Sequence, residues 1–149
     1  MIISASRRTD IPAFYAQWFI NRIRAGHCTV PNPFNRKQVS HVSLHTGNVD
    51  IIAFWTRSPQ PLIPYLKELD QLGYRYYFQY TVMNNPRLID SNVPSLSSSL
   101  KMFKKLSDLI GSERIIWRYD PVIISNITDI KFHTNTYKHI AETLRNYTQ

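Results

Sequence analysis

The apolar residues of this chain change period in a fixed order, a short extended run and then a helical stripe, and the order repeats four times. Such alternation leaves few folds open, because parallel strands must be joined by crossovers and helices supply them. Ile2-Ile3 before small residues reads as a short buried strand. The helix after it has Thr9 or Asp10 as cap, Pro12 in its first turn and Gly26 at its end. Its stripe is Tyr15, Phe19 and Ile23, with Phe14 and Trp18 in the neighbouring row. Ile51-Ile52-Ala53-Phe54-Trp55 is a continuous apolar run, as in a parallel strand covered on both faces. Ser58-Pro59 opens the second helix, whose stripe of Leu62, Tyr65, Leu66, Leu69 and Leu72 is closed by Gly73.

The third unit has Tyr74 to Val82 as its strand and Leu96, Leu100, Phe103, Leu106 and Ile110 as its stripe, stopped by Gly111. The fourth has Ile115-Ile116-Trp117-Arg118-Tyr119 as strand. Its helix is capped by Asp129, with His133, Tyr137, Ile140, Ala141 and Leu144 on one side. Between Val30 and Leu44, Pro31, Pro33 and Asn35 mark a turn before an alternating extended segment, which predicts a hairpin excursion on the first unit. The fold class is therefore α/β: one domain over residues 1–149, a partial (half) β/α barrel of four parallel βα units with a small hairpin after the first helix. A closed barrel takes about eight units. Either the sheet stays open or other chain material completes it, and open edges invite self-association.

At 149 residues with 43% hydrophobic content the chain is large enough for a core of its own. No apolar run approaches the ~20 residues that span a bilayer, and the N-terminus lacks the apolar stretch of a signal peptide. A cytoplasmic protein with no membrane contact is the expectation. Cys28 is the single cysteine, so the chain alone forms no internal disulfide and no all-cysteine metal or iron–sulfur site. Lys and Arg total 18 against 10 Asp and Glu, a formal charge of +8 that favours anionic partners. The basic residues are scattered, and Lys101, Lys104 and Lys105 read as a solvated helix face. The glycines form no phosphate loop, and the five histidines have no metal-site spacing.

In parallel α/β folds ligands bind at the carboxyl ends of the strands. Four segments fall there: 4–10, 55–59, 79–81 and 117–121. Arg7 and Arg8 precede a helix N-terminus, where backbone N–H groups already favour an anion. Two readings stand side by side: an anion-binding corner, or one arginine paired with Asp10 or Asp120 and the other solvated. Arg118 and Asp120 alternate and point the same way if the strand persists, either as a charged pair at the mouth or as a structural pair. Asp120 acts as a general base only within hydrogen-bond reach of a substrate proton. Gln79 and Thr81 share a face, and with Thr56 either contact a ligand or fill a core layer. Trp55, Trp117, Tyr77 and Tyr80 supply either packing or a stacking surface.

Five stretches together carry a resemblance: Ile2 to Pro12; Asn32-Pro33-Phe34-Asn35 with Gln38-Val39-Ser40; Phe54-Trp55-Thr56; Tyr77 to Thr81; and Trp117-Arg118-Tyr119-Asp120-Pro121. In this order they resemble the family catalogued as domain of unknown function 1848, over essentially the whole chain. The resemblance implies a protein about twice this long, of which this chain is the N-terminal half. It also implies a C-terminal cysteine cluster similar to that of radical S-adenosylmethionine enzymes. A more distant likeness is to spore photoproduct lyase-type enzymes. Arg57-Ser58-Pro59 departs from the pattern, which has lysine and asparagine before the proline, and so sets aside lysine-specific chemistry there.

On this basis Asp120 is the candidate catalytic residue. Arg7, Arg8, Asp10, Asn32, Thr56, Arg57, Gln79, Thr81 and Arg118 are the candidate substrate-binding residues. The chain itself is expected to hold no cofactor and to be inactive in the implied chemistry; an iron–sulfur cluster and S-adenosylmethionine belong to the full-length family protein. The alternative is a non-catalytic module for an anionic ligand or nucleic acid. Further expected partners are a C-terminal half, or a second copy through the open sheet edge.

Overall fold

In the computed structural model, which describes residues 1–5, 9–35 and 37–149, the four apolar runs form one parallel sheet. In chain order the elements are β1 (Ile2–Ser4), α1 (Ile11–Phe14), α2 (Ala16–Ala25), β2 (His27–Pro31), β3 (Val39–Ser43), β4 (Ile51–Thr56), α3 (Leu66–Gln71), β5 (Tyr76–Thr81), α4 (Leu96–Ile110), β6 (Ile115–Arg118) and α5 (Ile130–Leu144). The strand order β1-β4-β5-β6 follows the chain, with β2 and β3 set apart as an antiparallel hairpin. The fold is thus α/β, and the excursion is a hairpin. Among the described residues no ladder joins β6 to β1, so the sheet is open rather than a barrel.

Register divides the sheet residues into two faces, because side chains alternate along each strand and paired residues point the same way. Ile52, Phe54 and Thr56 share a face with Tyr76, Phe78, Tyr80 and Ile115. All of these are buried. Phe19 of α2 meets Phe54 edge-on at 5.3 Å between ring centroids, and Phe103 of α4 stacks on Tyr80 at 5.2 Å. The opposite face carries Ile2, Trp55, Tyr77, Gln79, Thr81, Ile116 and Arg118, none of them buried, while the smaller Ala53 among them is. The continuous run Ile51 to Trp55 was expected to be covered on both sides; helices cover one.

The first helix is two. Asp10, not Thr9, is its cap, and Tyr15 at φ −132° interrupts the helix between α1 and α2. The break rotates the stripe: Ala16, Phe19, Ile20 and Ile23 are buried, while Phe14, Tyr15 and Trp18 are exposed. Gly26 ends α2 at φ +73°, where an added Cβ would lie 2.6 Å from the His45 ring. Ser58-Pro59 starts no α-helix. A 3₁₀ turn at Ile63–Tyr65 precedes α3, with Leu62, Leu66 and Leu69 buried and Leu72 exposed. Ser95 caps α4 and Asp129 caps α5, each accepting from the backbone N–H three residues on.

The two sheet edges differ. Along the outer side of β6, Trp117 N–H donates to Thr148 Oγ1 at 2.9 Å and Gln149 N–H donates to the Ile115 carbonyl at 3.1 Å. Only β1 keeps an outer edge without such cover among the described residues. Among those residues no helix is long and apolar enough to cross a membrane.

Candidate functional site

Asp10 is the residue on which the carboxyl-end rim is built. Its Oδ1 accepts the Ala13 N–H at 3.0 Å, capping α1. Its Oδ2 accepts the Thr56 hydroxyl at 3.0 Å and the Arg57 N–H at 2.9 Å. Thr56 Oγ1 in turn accepts the Ser58 N–H at 2.9 Å. Asp10 and Thr56 therefore fasten the start of the first helix to the end of β4. Thr56 is buried on the helix-covered face, opposite to Gln79, Thr81 and Arg118, so the expected convergence of Thr56 with those three does not occur. Arg7 and Arg8, the other half of that expectation, lie outside the described residues.

Arg118 closes β6 and lies over the Trp55 ring, its guanidinium carbon 4.6 Å from the centroid. Its Nη2 donates to Asp120 Oδ2 at 2.5 Å. The strand ends at Arg118, yet the pair forms as the alternation predicted. The second oxygen of that carboxylate, Asp120 Oδ1, is sealed from solvent and has no hydrogen-bond partner. Gln79, the register neighbour of both Trp55 and Ile116, has its Nε2 3.5 Å from the Tyr77 hydroxyl; Thr81 pairs in register with Arg118. The aromatic set is split: Trp55 and Tyr77 stand on the open face, whereas Tyr80 is buried under α4. Trp117 packs on Tyr137 and donates its indole N–H to the Val82 carbonyl at 3.1 Å.

Arg57 reaches away from this group and pairs through Nη1 with Asp90 Oδ2. Asn32 is not on the rim. In the β2–β3 turn its Nδ2 donates to Gln38 Oε1 at 2.8 Å and its Oδ1 accepts the Phe34 N–H at 2.9 Å, which shapes the hairpin loop. The loop that carries Asp120 is held by His133 of α5. Tyr119 Oη lies 2.9 Å from His133 Nδ1, and His133 Nε2 lies 3.0 Å from the Ile123 carbonyl. A carbonyl only accepts, so Nε2 carries a proton, and in the neutral ring Nδ1 accepts from the phenol. Burial holds the Tyr119 hydroxyl above its ordinary pKa, which keeps that donor protonated.

A family model described as domain of unknown function (DUF1848) matches residues 2–149. The chain belongs to the DUF1848 family. No curated protein and no solved structure matches it. The radical-type chemistry implied by the resemblance is no part of that description.

The residues of this DUF1848 chain do not fit an iron–sulfur cluster. Such clusters are held by several thiolates, and the one cysteine, Cys28, lies in the β2 strand of the hairpin. Burial pushes its thiol up from the usual value, with Arg22 countering in part, so it is also a poor thiolate. Among the described residues no three His, Cys, Asp or Glu side chains gather as a metal set. Two polar residues near the rim went unread in the sequence: Asp90, the partner of Arg57, and Asn85 in the loop after β5. Asn85 carried a usable signal, its position just beyond the carboxyl end of a parallel strand. Asp90 carried none, because its partner is 33 residues away.

Proposed function

We propose that the open-face rim of this sheet binds a small ligand that carries an anionic group beside a hydrogen-bond donor. On this proposal the chain is the ligand-binding part of a larger cytoplasmic active site, completed by a C-terminal half or a second copy. Asp120 carries the proposal. Its Oδ1 is buried without a partner, and a carboxylate oxygen kept from water needs a donor. Arg118 spends one N–H on Asp120 Oδ2 and has others to offer an anion. Gln79 and Thr81 add polar contacts on the same face. Asp120 then orients Arg118 and takes the ligand's proton, the position of a general base.

Calorimetric titration with inorganic phosphate and with glycerol 3-phosphate, which adds hydroxyl donors to the same anion, tests this. Arg118→Ala should weaken both by about tenfold or more, the worth of a charge-assisted hydrogen bond. Asp120→Asn should weaken glycerol 3-phosphate alone. Wild-type affinity of both variants for both probes would remove the proposal. Nucleic acid is the second reading, favoured by the net charge of +8 and by Trp55 on the open face. Salt-sensitive binding of single-stranded DNA that is lost in Trp55→Ala would select it instead.

The radical-type enzyme reading rests on the resemblance alone, and its cluster ligands would have to come from outside this chain. Anaerobic reconstitution with iron and sulfide should therefore leave these 149 residues without a stoichiometric cluster. An absorbance and metal analysis giving one cluster per chain would contradict that assignment.

A further inference from the structure

The segment between β5 and α4 makes a cleft that shares Thr81 with the rim but not Arg118 or Asp120. Both polar atoms of the Asn85 amide, Nδ2 and Oδ1, are sealed from solvent without a hydrogen-bond partner. A carboxamide offers two N–H donors and an acceptor with two lone pairs, and buried groups of this kind are nearly always matched. Asn85 lines two neighbouring spaces. The inner one, of about 20 Å³, is walled by Arg57, Thr81 and Asp90. It has room for one water. The outer one, of about 350 Å³, shares Met83, Asn85, Asp90, Val93 and Pro94 with the inner. That volume lies within the range of small-molecule sites.

The outer walls set apolar surfaces from Met83, Val93, Pro94 and Phe132 around the space, as a flat ring requires. Its polar end is of one sign. Arg87 is exposed on the lining, and Asp90 on the same wall is already neutralised by Arg57. Ser95 and Leu96, the cap and first residue of the 15-residue helix α4, also line it and present a helix N-terminus. A donor–acceptor amide at one place, apolar walls between, and a cation with a helix N-terminus at another match the parts of one chemical class.

We infer that the β5–α4 cleft is a mononucleotide site, in which the Asn85 amide pairs with the base edge and Arg87 with the start of α4 holds the phosphate. Every nucleobase sets a donor beside an acceptor on its pairing edge, and an asparagine amide meets such an edge with two hydrogen bonds. The inference does not depend on the rim proposal, since neither Arg118 nor Asp120 lines this cleft.

The test is calorimetric titration of the whole chain with AMP, GMP, CMP, UMP and inorganic phosphate. At least one nucleotide should saturate the protein and bind more tightly than phosphate. Asn85→Leu should weaken that nucleotide about tenfold while leaving phosphate where it was, because only the base edge is lost. Asn85→Asp, which presents acceptors alone, should shift preference toward GMP, whose base offers two adjacent donors. Thermal melting monitored by circular dichroism checks that both variants fold. If no nucleotide saturates, water alone serves the amide and the inference is wrong. It is equally wrong if Asn85→Leu binds the four nucleotides as the wild type does.

Discussion

Asp10→Ala should lower the unfolding free energy of this chain by about 3 kcal/mol. Loss of an N-cap acceptor costs about 1 kcal/mol. Two further donors, the Thr56 hydroxyl and the Arg57 N–H, lose their acceptor at the end of β4, at about 1 kcal/mol each when part-buried. Urea denaturation reads the change as a drop in midpoint at constant slope. Asp10→Asn keeps one amide oxygen for these donors and should cost roughly half as much. The outcome bears on function. Asp10 was read from the sequence as a substrate contact, and the structure gives both of its oxygens to the protein itself. A variant as stable as the wild type would return Asp10 to the ligand.

His133→Ala should cost somewhat less, about 2 kcal/mol, and should also disturb the rim. The imidazole is buried between α5 and the loop after β6, where it satisfies the Tyr119 hydroxyl on one side and the Ile123 carbonyl on the other. Removing it takes one partner from each group, the carbonyl keeping the Thr128 hydroxyl at 2.7 Å and the phenol keeping the His133 carbonyl at 3.5 Å, and leaves a hole beside Phe132 and Tyr119. Asp120 adjoins Tyr119 in the chain, so glycerol 3-phosphate affinity should fall along with stability. A double variant His133→Ala/Tyr119→Phe removes the phenol hydroxyl, left with only its long contact to the backbone carbonyl of residue 133, and should recover part of the stability loss. Full additivity of the two single changes would mean that the pair does not act as a unit.

Features set by neighbours in the chain were legible in the sequence. Gly26 and Gly111 end helices, Asp129 begins one, and the four apolar runs are strands, because caps, left-handed turns and strand propensity act over a few residues. Features set by packing were less so. A run such as Ile51 to Trp55 reads the same whether helices lie on one side of it or both. Tyr15 gives no breaker signal, yet the helix stops there and the stripe turns by part of a revolution. Thr56 was grouped with Gln79 although the register sets them on opposite faces; phase between strands is fixed by pairing, which no single strand reports. Arg118 and Asp120 were found as a pair since they are two residues apart, and the pairing of Arg57 with Asp90 was not, since it bridges 33.

The stacking of Arg118 on Trp55 has a practical consequence. An indole in contact with a cation, on the sheet face opposite the described helices, is a natural optical reporter. Whatever draws the guanidinium away or settles beside the ring alters its emission. Occupancy of this side of the molecule can thus be followed by intrinsic fluorescence with no label attached.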